Sequence, residues 1–247
     1  YEYNYARVTG VAIVSTGVFG TAGFSFFLQD GTGGVKVQKS TEGISATLGN
    51  SYPVVGRMRN TNGQFWIECD DPATEITDNG SSTLPSIQIL TISQILADPE
   101  SFQSEFIGIQ HLSKSSGTWP TSGNWATITM TDDGGSNTLL LYIDEDTNID
   151  DNSEPSWPRD VQGILTQYDS SSPYTDAYQI MPRYYSDIQT DGSLPVELSA
   201  FTGNSRNGYI QLKWVTDSEI ENLGFKIYRQ TTGIAEEVLA SFEKNKQ

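Results

Sequence analysis

Apolar and polar residues alternate over short runs through most of the chain, and clusters of Gly, Asn, Asp and Ser separate the runs. That period of two predicts strands that turn one face toward a core. Val8, Gly10, Ala12 and Val14 alternate with Thr9, Val11, Ile13 and Ser15, and Phe24, Phe26 and Leu28 alternate with Ser25, Phe27 and Gln29. The turn Asp30-Gly31-Thr32-Gly33-Gly34 follows, after which Val35 and Val37 restart the pattern. Tyr52 to Arg59 and Gln64 to Glu68 flank Asn60-Thr61-Asn62-Gly63, a hairpin signal that completes five strands.

The same order then repeats. Phe106-Ile107-Gly108-Ile109 and Trp125 to Thr131 lead into the turn Asp132-Asp133-Gly134-Gly135. Leu139 to Ile143, Asp160 to Leu165 and Ala177 to Met181 complete the second set. The landmarks Gly31 and Gly56 recur as Gly134 and Gly163, about 105 residues later, a spacing of duplicated domains and too long for a solenoid repeat. Between the copies, Thr91 to Ala97 ahead of Asp98-Pro99 predicts a short helix that stops before the proline.

These residues carry a resemblance. Strand, strand, D-G-x-G turn, strand, then V-x-G on a fourth strand resembles the OB-fold modules of secreted bacterial proteins. Such modules occur beside extracellular nucleases and in surface proteins of the Bacteroidetes and Ignavibacteria type. ADPESF, GTWP, LYIDEDTNID and GILTQYDSSSPYTDAYQIMPR in the second copy carry it most closely. The segment from Leu194, with LPVEL, Leu212 and Trp214, and NLGFKIYR at Asn222 to Arg229, resembles the fibronectin-III-like domain that precedes type IX sorting tails. The expected fold is all-β: two tandem OB-type five-stranded barrels at 1–78 and 98–190, a linker with a short helix at 79–97, and a partial fibronectin-III-like sandwich at 194–247.

The last segment holds only three or four of the roughly seven strands of a complete sandwich. Ile210, Leu212 and Trp214 would point inward on one strand, with Phe225 and Ile227 on the next. Either the segment is truncated, or its missing strands come from a neighbouring copy. Tyr1, Tyr3 and Tyr5 lie on one face of an extended N-terminal segment that either extends the first barrel strand or supplies that complementing strand. Tyr1, Tyr3, Tyr5, Leu212, Trp214, Phe225 and Ile227 thus form the expected assembly interface of a head-to-tail filament.

Composition narrows the function. Lys and Arg total 14 against 31 Asp and Glu, a net charge of −17 that repels phosphate backbones and anionic lipid. Nucleic acid is therefore disfavoured as a partner, and an extracellular, cell-surface location is the expectation. No apolar run reaches the roughly 18–20 residues that span a bilayer, and no leader is recognisable, which suits a mature or trimmed chain. Cys69, the single cysteine, lies in a strand-like run and is expected to be a buried thiol.

Catalytic constellations are missing from the pattern. His111 is the sole histidine, and no G-x-S-x-G, HExxH, CxxC or phosphate-cradling Gly-Lys-Ser/Thr occurs, so no enzymatic activity is expected. Asp144, Asp146, Asn148 and Asp150 place oxygen ligands at alternating positions, as Ca²⁺ requires. Ile149 nevertheless stands where an EF-hand loop needs glycine, leaving a solvated acidic loop as the competing reading. Asn79-Gly80-Ser81 is a glycosylation sequon. Phe24, Phe26 and Phe27 in the first copy, and Trp119, Trp125 and Tyr142 in the second, are either stacking residues of an OB ligand face or core. Arg57, Arg59, Lys36 and Lys39 form the one basic cluster beside them. The leading expectation is a non-catalytic extracellular structural or adhesive protein assembling by strand complementation. The alternative is a glycan- or nucleic-acid-binding accessory module of a larger secreted hydrolase or nuclease.

Overall fold

The computed structural model describes residues 5–20, 23–40, 43–192, 198–206, 209–216, 226–229 and 237–241. Its contacts divide the chain into two compact units, Tyr1–Leu194 and Pro195–Gln247.

In the first unit, β1 (Tyr5–Val14), β2 (Phe24–Gln29), β3 (Gly34–Lys39), β4 (Ser51–Thr61) and β5 (Gln64–Glu68) close into a barrel in the order β1-β2-β3-β5-β4. All pairings are antiparallel except β3 with β5, which sets Val37 beside Ile67. The alternation anticipated from the sequence fills the interior: Ala12, Phe24, Phe26, Leu28, Val37, Tyr52, Val54, Ile67 and Cys69 form its core.

A short helical turn, α1 (Pro72–Glu75), leads to the connecting segment. That segment is not a free linker. Ser51 N–H donates to Gly80 O, Ser82 N–H donates to Gly49 O, and β6 (Gln88–Ile89) pairs with the second barrel. Helix α2 (Ile92–Ala97) then begins on a capping box, in which Thr91 Oγ1 accepts from Gln94 N–H and Gln94 Oε1 accepts from Thr91 N–H.

The second barrel repeats the first. Strands β7 (Phe106–Ser116), β8 (Ala126–Thr131), β9 (Leu139–Ile143), β10 (Arg159–Gln167) and β11 (Tyr178–Met181) close through the β10–β7 pairing, and β9–β11 is again the parallel pair. Strand β12 (Ile188–Thr190) adds to the edge of β10. The V-x-G landmark acquires a physical reason here. A Cβ on Gly56 would lie 2.5 Å from Ile67 Cγ2, and one on Gly163 would lie 2.8 Å from the Met181 backbone. In each barrel the fifth strand passes close over that glycine.

The two barrels share a seam. Phe65 N–H donates to Gln103 Oε1 at 2.9 Å, Gln64 Nε2 to Ser104 Oγ at 2.8 Å, and Phe106 N–H to Gln29 Oε1 at 3.0 Å. An apolar cluster joins Ile13, Val14, Val18, Phe19 and Phe27 to Ile164 and Met181. Arg183 bridges it as well, donating from Nη1 to Ile13 O at 2.9 Å with its guanidinium 3.7 Å from the Phe106 ring centre.

In the second unit, β13 (Leu198–Arg206) and β14 (Tyr209–Thr216) form one antiparallel pair, and β15 (Lys226–Arg229) and β16 (Glu237–Ser241) form another. Leu212, Trp214 and Ile227 are half-buried, whereas Phe201, Tyr209, Ile210 and Val215 are exposed; Ile210 lies on the same strand face as Leu212 but is not buried there. Tyr1, Tyr3 and Phe225 lie outside the described residues. Tyr5 is part of β1, paired opposite Arg57, and its hydroxyl donates to Asp70 at 2.7 Å. It therefore extends the first barrel strand, one of the two roles open to it in the sequence.

Candidate ligand groove

Period two sends every second residue of a barrel strand outward. On β3, Val37 enters the core while Lys36 and Gln38 face out; on β5, Ile67 enters and Trp66 faces out. The second barrel does the same with Thr127 on β8, Tyr142 on β9 and Gln179 on β11. These outward residues meet in one groove of about 650 Å³ between the barrels. Phe19, from the β1–β2 loop, and Tyr168, following β10, complete its walls. The second and third strands and the β1–β2 and β4–β5 loops are where OB barrels take ligands. Here the corresponding surfaces of both copies open into the same groove.

The groove is aromatic and nearly uncharged. Trp125 is 60% exposed and stacks on Tyr142, with ring centres 6.3 Å apart and planes 25° apart. Tyr168 is 65% exposed, and the Trp66 indole N–H donates to Thr61 Oγ1 at 3.2 Å. Burial pushes the Tyr142 phenol up to about 12, with Asp144 and Glu145 adding to the shift, so it stays a neutral donor. Lys36 is the one Lys or Arg among the lining residues. Its ammonium lies 5.9 Å from the Phe27 ring centre, and burial lowers its pKa against the opposing pull of Asp144.

Four amide side chains line the groove and divide by role. Gln64 and Gln167 belong to the seam, where Gln167 N–H donates to Gln64 Oε1 at 3.2 Å and Gln167 Nε2 donates to Tyr174 O and Asp176 O. The amides of Gln38 and Gln179 make no hydrogen bond among the described residues.

Of the stacking candidates in the sequence, Phe27, Trp125 and Tyr142 reach the groove. Phe24 and Phe26 are core, because their parity on β2 is opposite to that of Phe27. Trp119 is core too, packed near Trp157 and Tyr185 with its indole N–H on Asn152 O. The basic cluster does not survive as free charge: Arg57 pairs with Asp70, Arg59 with Glu68, and Lys39 donates to Asp70 O. Trp66, Tyr168, Gln38 and Gln179 were not singled out in the sequence.

The acidic loop works internally. Ile149 is fully buried in the second core, which accounts for an apolar residue at that position. Asp144 accepts from Asp146 N–H, Asn148 Oδ1 from Tyr185 N–H, and Asp150 from Gly123 N–H. Among the described residues no three His, Cys, Asp or Glu side chains come together as a metal-binding group. Asn79 is exposed beside the first barrel, its N–H bonded to Ser51 O. His111 sits in a bulge of β7 at φ 57°, its N–H held by the buried Asp160 carboxylate and its Nδ1 3.1 Å from Asp191.

No protein-family model matches the chain. A curated relative, "Endonuclease YhcR" of Bacillus subtilis (strain 168), is 23% identical over 197 residues, which cover 78% of this chain and 15% of that protein. Among solved structures, the tetrameric p202 HIN2 is similar at a TM-score of 0.34 and 11% identity, covering 87% of this chain and 96% of that one. The Ifi202 HINa domain in complex with 20-bp dsDNA scores 0.32 at 12% identity, covering 72% and 94%.

Proposed function

We propose that the two barrels form a non-catalytic binding module of a larger secreted protein, and that the groove between them holds a short stretch of single-stranded nucleic acid. The observation that carries this reading is the convergence of Trp66, Trp125, Tyr142 and Tyr168, from both copies, on the surfaces OB barrels use for ligands. The named activity of the relative supports a nucleic-acid role, and the 15% coverage supports a module within a larger protein. Around the groove stand amides, hydroxyls and rings rather than pairs of ionisable groups poised for proton transfer, which supports binding without catalysis. Tyr5, already paired within β1, favours this reading over a strand-complemented filament.

With one lining cation, binding depends on stacking and barely on counterion release. Each neutralised phosphate of a single strand contributes a salt slope of about −0.7, so the groove sets a slope no steeper than about that value. The test is a tryptophan-fluorescence titration of the intact chain with single-stranded and duplex oligonucleotides over a range of salt. Trp125→Ala should weaken single-strand binding roughly tenfold, since a base–aromatic stack contributes about 1–3 kcal/mol. The net charge of −17 favours a second reading, a neutral glycan stacked on the same rings. Binding of oligosaccharides with indifference to every oligonucleotide would replace the first reading with that one.

A further inference from the structure

The groove holds two unspent recognition groups, and their chemistry selects among bases. Gln38 comes from β3 of the first barrel and Gln179 from β11 of the second, so the amides enter from different walls. Neither amide is engaged by a hydrogen bond among the described residues, whereas the neighbouring Gln64 and Gln167 amides are consumed by the seam. A carboxamide offers one acceptor and one donor side by side, and it pairs best with a base edge offering the complement.

Resting on the single-strand reading above, we infer that the groove is selective for a purine base, held between the Gln38 and Gln179 amides and stacked on the Trp125–Tyr142 pair. The reason is geometric. Adenine has two amide-compatible edges: N6–H with N7, and the second N6–H with N1. It can therefore satisfy one amide from each barrel, making four hydrogen bonds. Cytosine has one such edge, because its other amino hydrogen faces a C–H. Guanine also has two, O6 with N1–H and N3 with N2–H, so either purine can serve both amides. The central N3–H of thymine can serve only one amide at a time. Lys36 does not compete for the base edge, since its ammonium lies toward the Phe27 face and is offset by Asp144.

The test compares short homo-oligomers of deoxyadenylate, deoxycytidylate and deoxythymidylate, titrated against the intact chain with tryptophan fluorescence and calorimetry. Adenine should bind about tenfold tighter than either pyrimidine, because a matched bidentate pair discriminates by roughly 1–3 kcal/mol. Gln38→Met and Gln179→Met keep side-chain length and remove the amide. Each should cut the adenine-to-cytosine ratio several-fold, and together they should bring it near one. Trp125→Ala should weaken all three oligomers while leaving a preference for adenine. Equal binding of the three oligomers by the unaltered protein overturns the purine inference and leaves the single-strand reading standing. So does a preference that persists in the double variant with unchanged thermal melting. Failure of all three to bind overturns the single-strand reading itself, and the inference with it.

Discussion

Arg183 offers the sharpest test of how the two barrels are joined. Its Nε and Nη2 donate to the two oxygens of Asp187 at 3.0 and 3.1 Å, its Nη1 donates to Ile13 O in the first barrel, and its guanidinium covers Phe106. The side chains of the pair are only 13% and 7% exposed. Arg183→Met keeps an aliphatic contact with Phe106 but strips Asp187 of its charge partner, leaving the backbone N–H at position 183 as a remaining donor. Removing one member of a buried pair costs about 3–5 kcal/mol. The slight exposure here argues for the lower end, about 3 kcal/mol. For a unit of this size a kcal/mol moves the melting midpoint by about 2–4 °C, so a drop of about 6–12 °C is expected in a thermal melt followed by near-ultraviolet circular dichroism. Asp187→Asn in the same chain should recover part of that loss, because the penalty of the single change is largely an uncompensated carboxylate. A shift below about 1 °C, or a double variant worse than the sum of the singles, would refute the clamp.

Two further outcomes follow from geometry already described. Gly163→Ala should destabilise the unit by about 1–3 kcal/mol, because its Cβ would press on the Met181 backbone, which cannot rotate away. Gly31→Ala, with open space around it, serves as the control in the same denaturant titration and should be neutral or slightly stabilising. Asp133 accepts from Asn137 N–H, Asn137 Nδ2 and Thr131 Oγ1, and these bonds hold its carboxyl at about 2, below the 3.8 of a free aspartate. Its stabilising contribution is thus present above about pH 4 and lost as pH falls through about 2. The melting gap between the unaltered protein and Asp133→Asn should narrow over that window, and a constant gap would show that the hydrogen bonds do not favour the charged form.

Several strands were legible because one side is buried and the parity shows in the residues: Val37 in and Lys36 out, Ile67 in and Trp66 out. Strand β2 is buried on both sides, so Phe24, Phe26 and Phe27 could not be sorted from the sequence. The repeated V-x-G was legible because crossing strands exclude a side chain there, whatever the surroundings. The groove was only partly so. Trp125, Tyr142 and Lys36 stand out locally, but Gln38 and Gln179 gain meaning only once two copies face each other, and no spacing along the chain encodes that meeting. The role of Ile149 was not legible at all. Among acidic residues it stood only as a departure from an ion loop, and in the fold it is an apolar plug that draws the loop onto the barrel.

The apolar cluster at the seam bears on how such a duplication can be inherited. Ile13, Val14, Phe19 and Phe27 are covered only while Ile164 and Met181 of the other copy lie against them. A recombination point inside residues 79–97 would separate the two sides of that patch and leave it facing water. The unit that keeps this patch covered is therefore the doublet and neither half by itself.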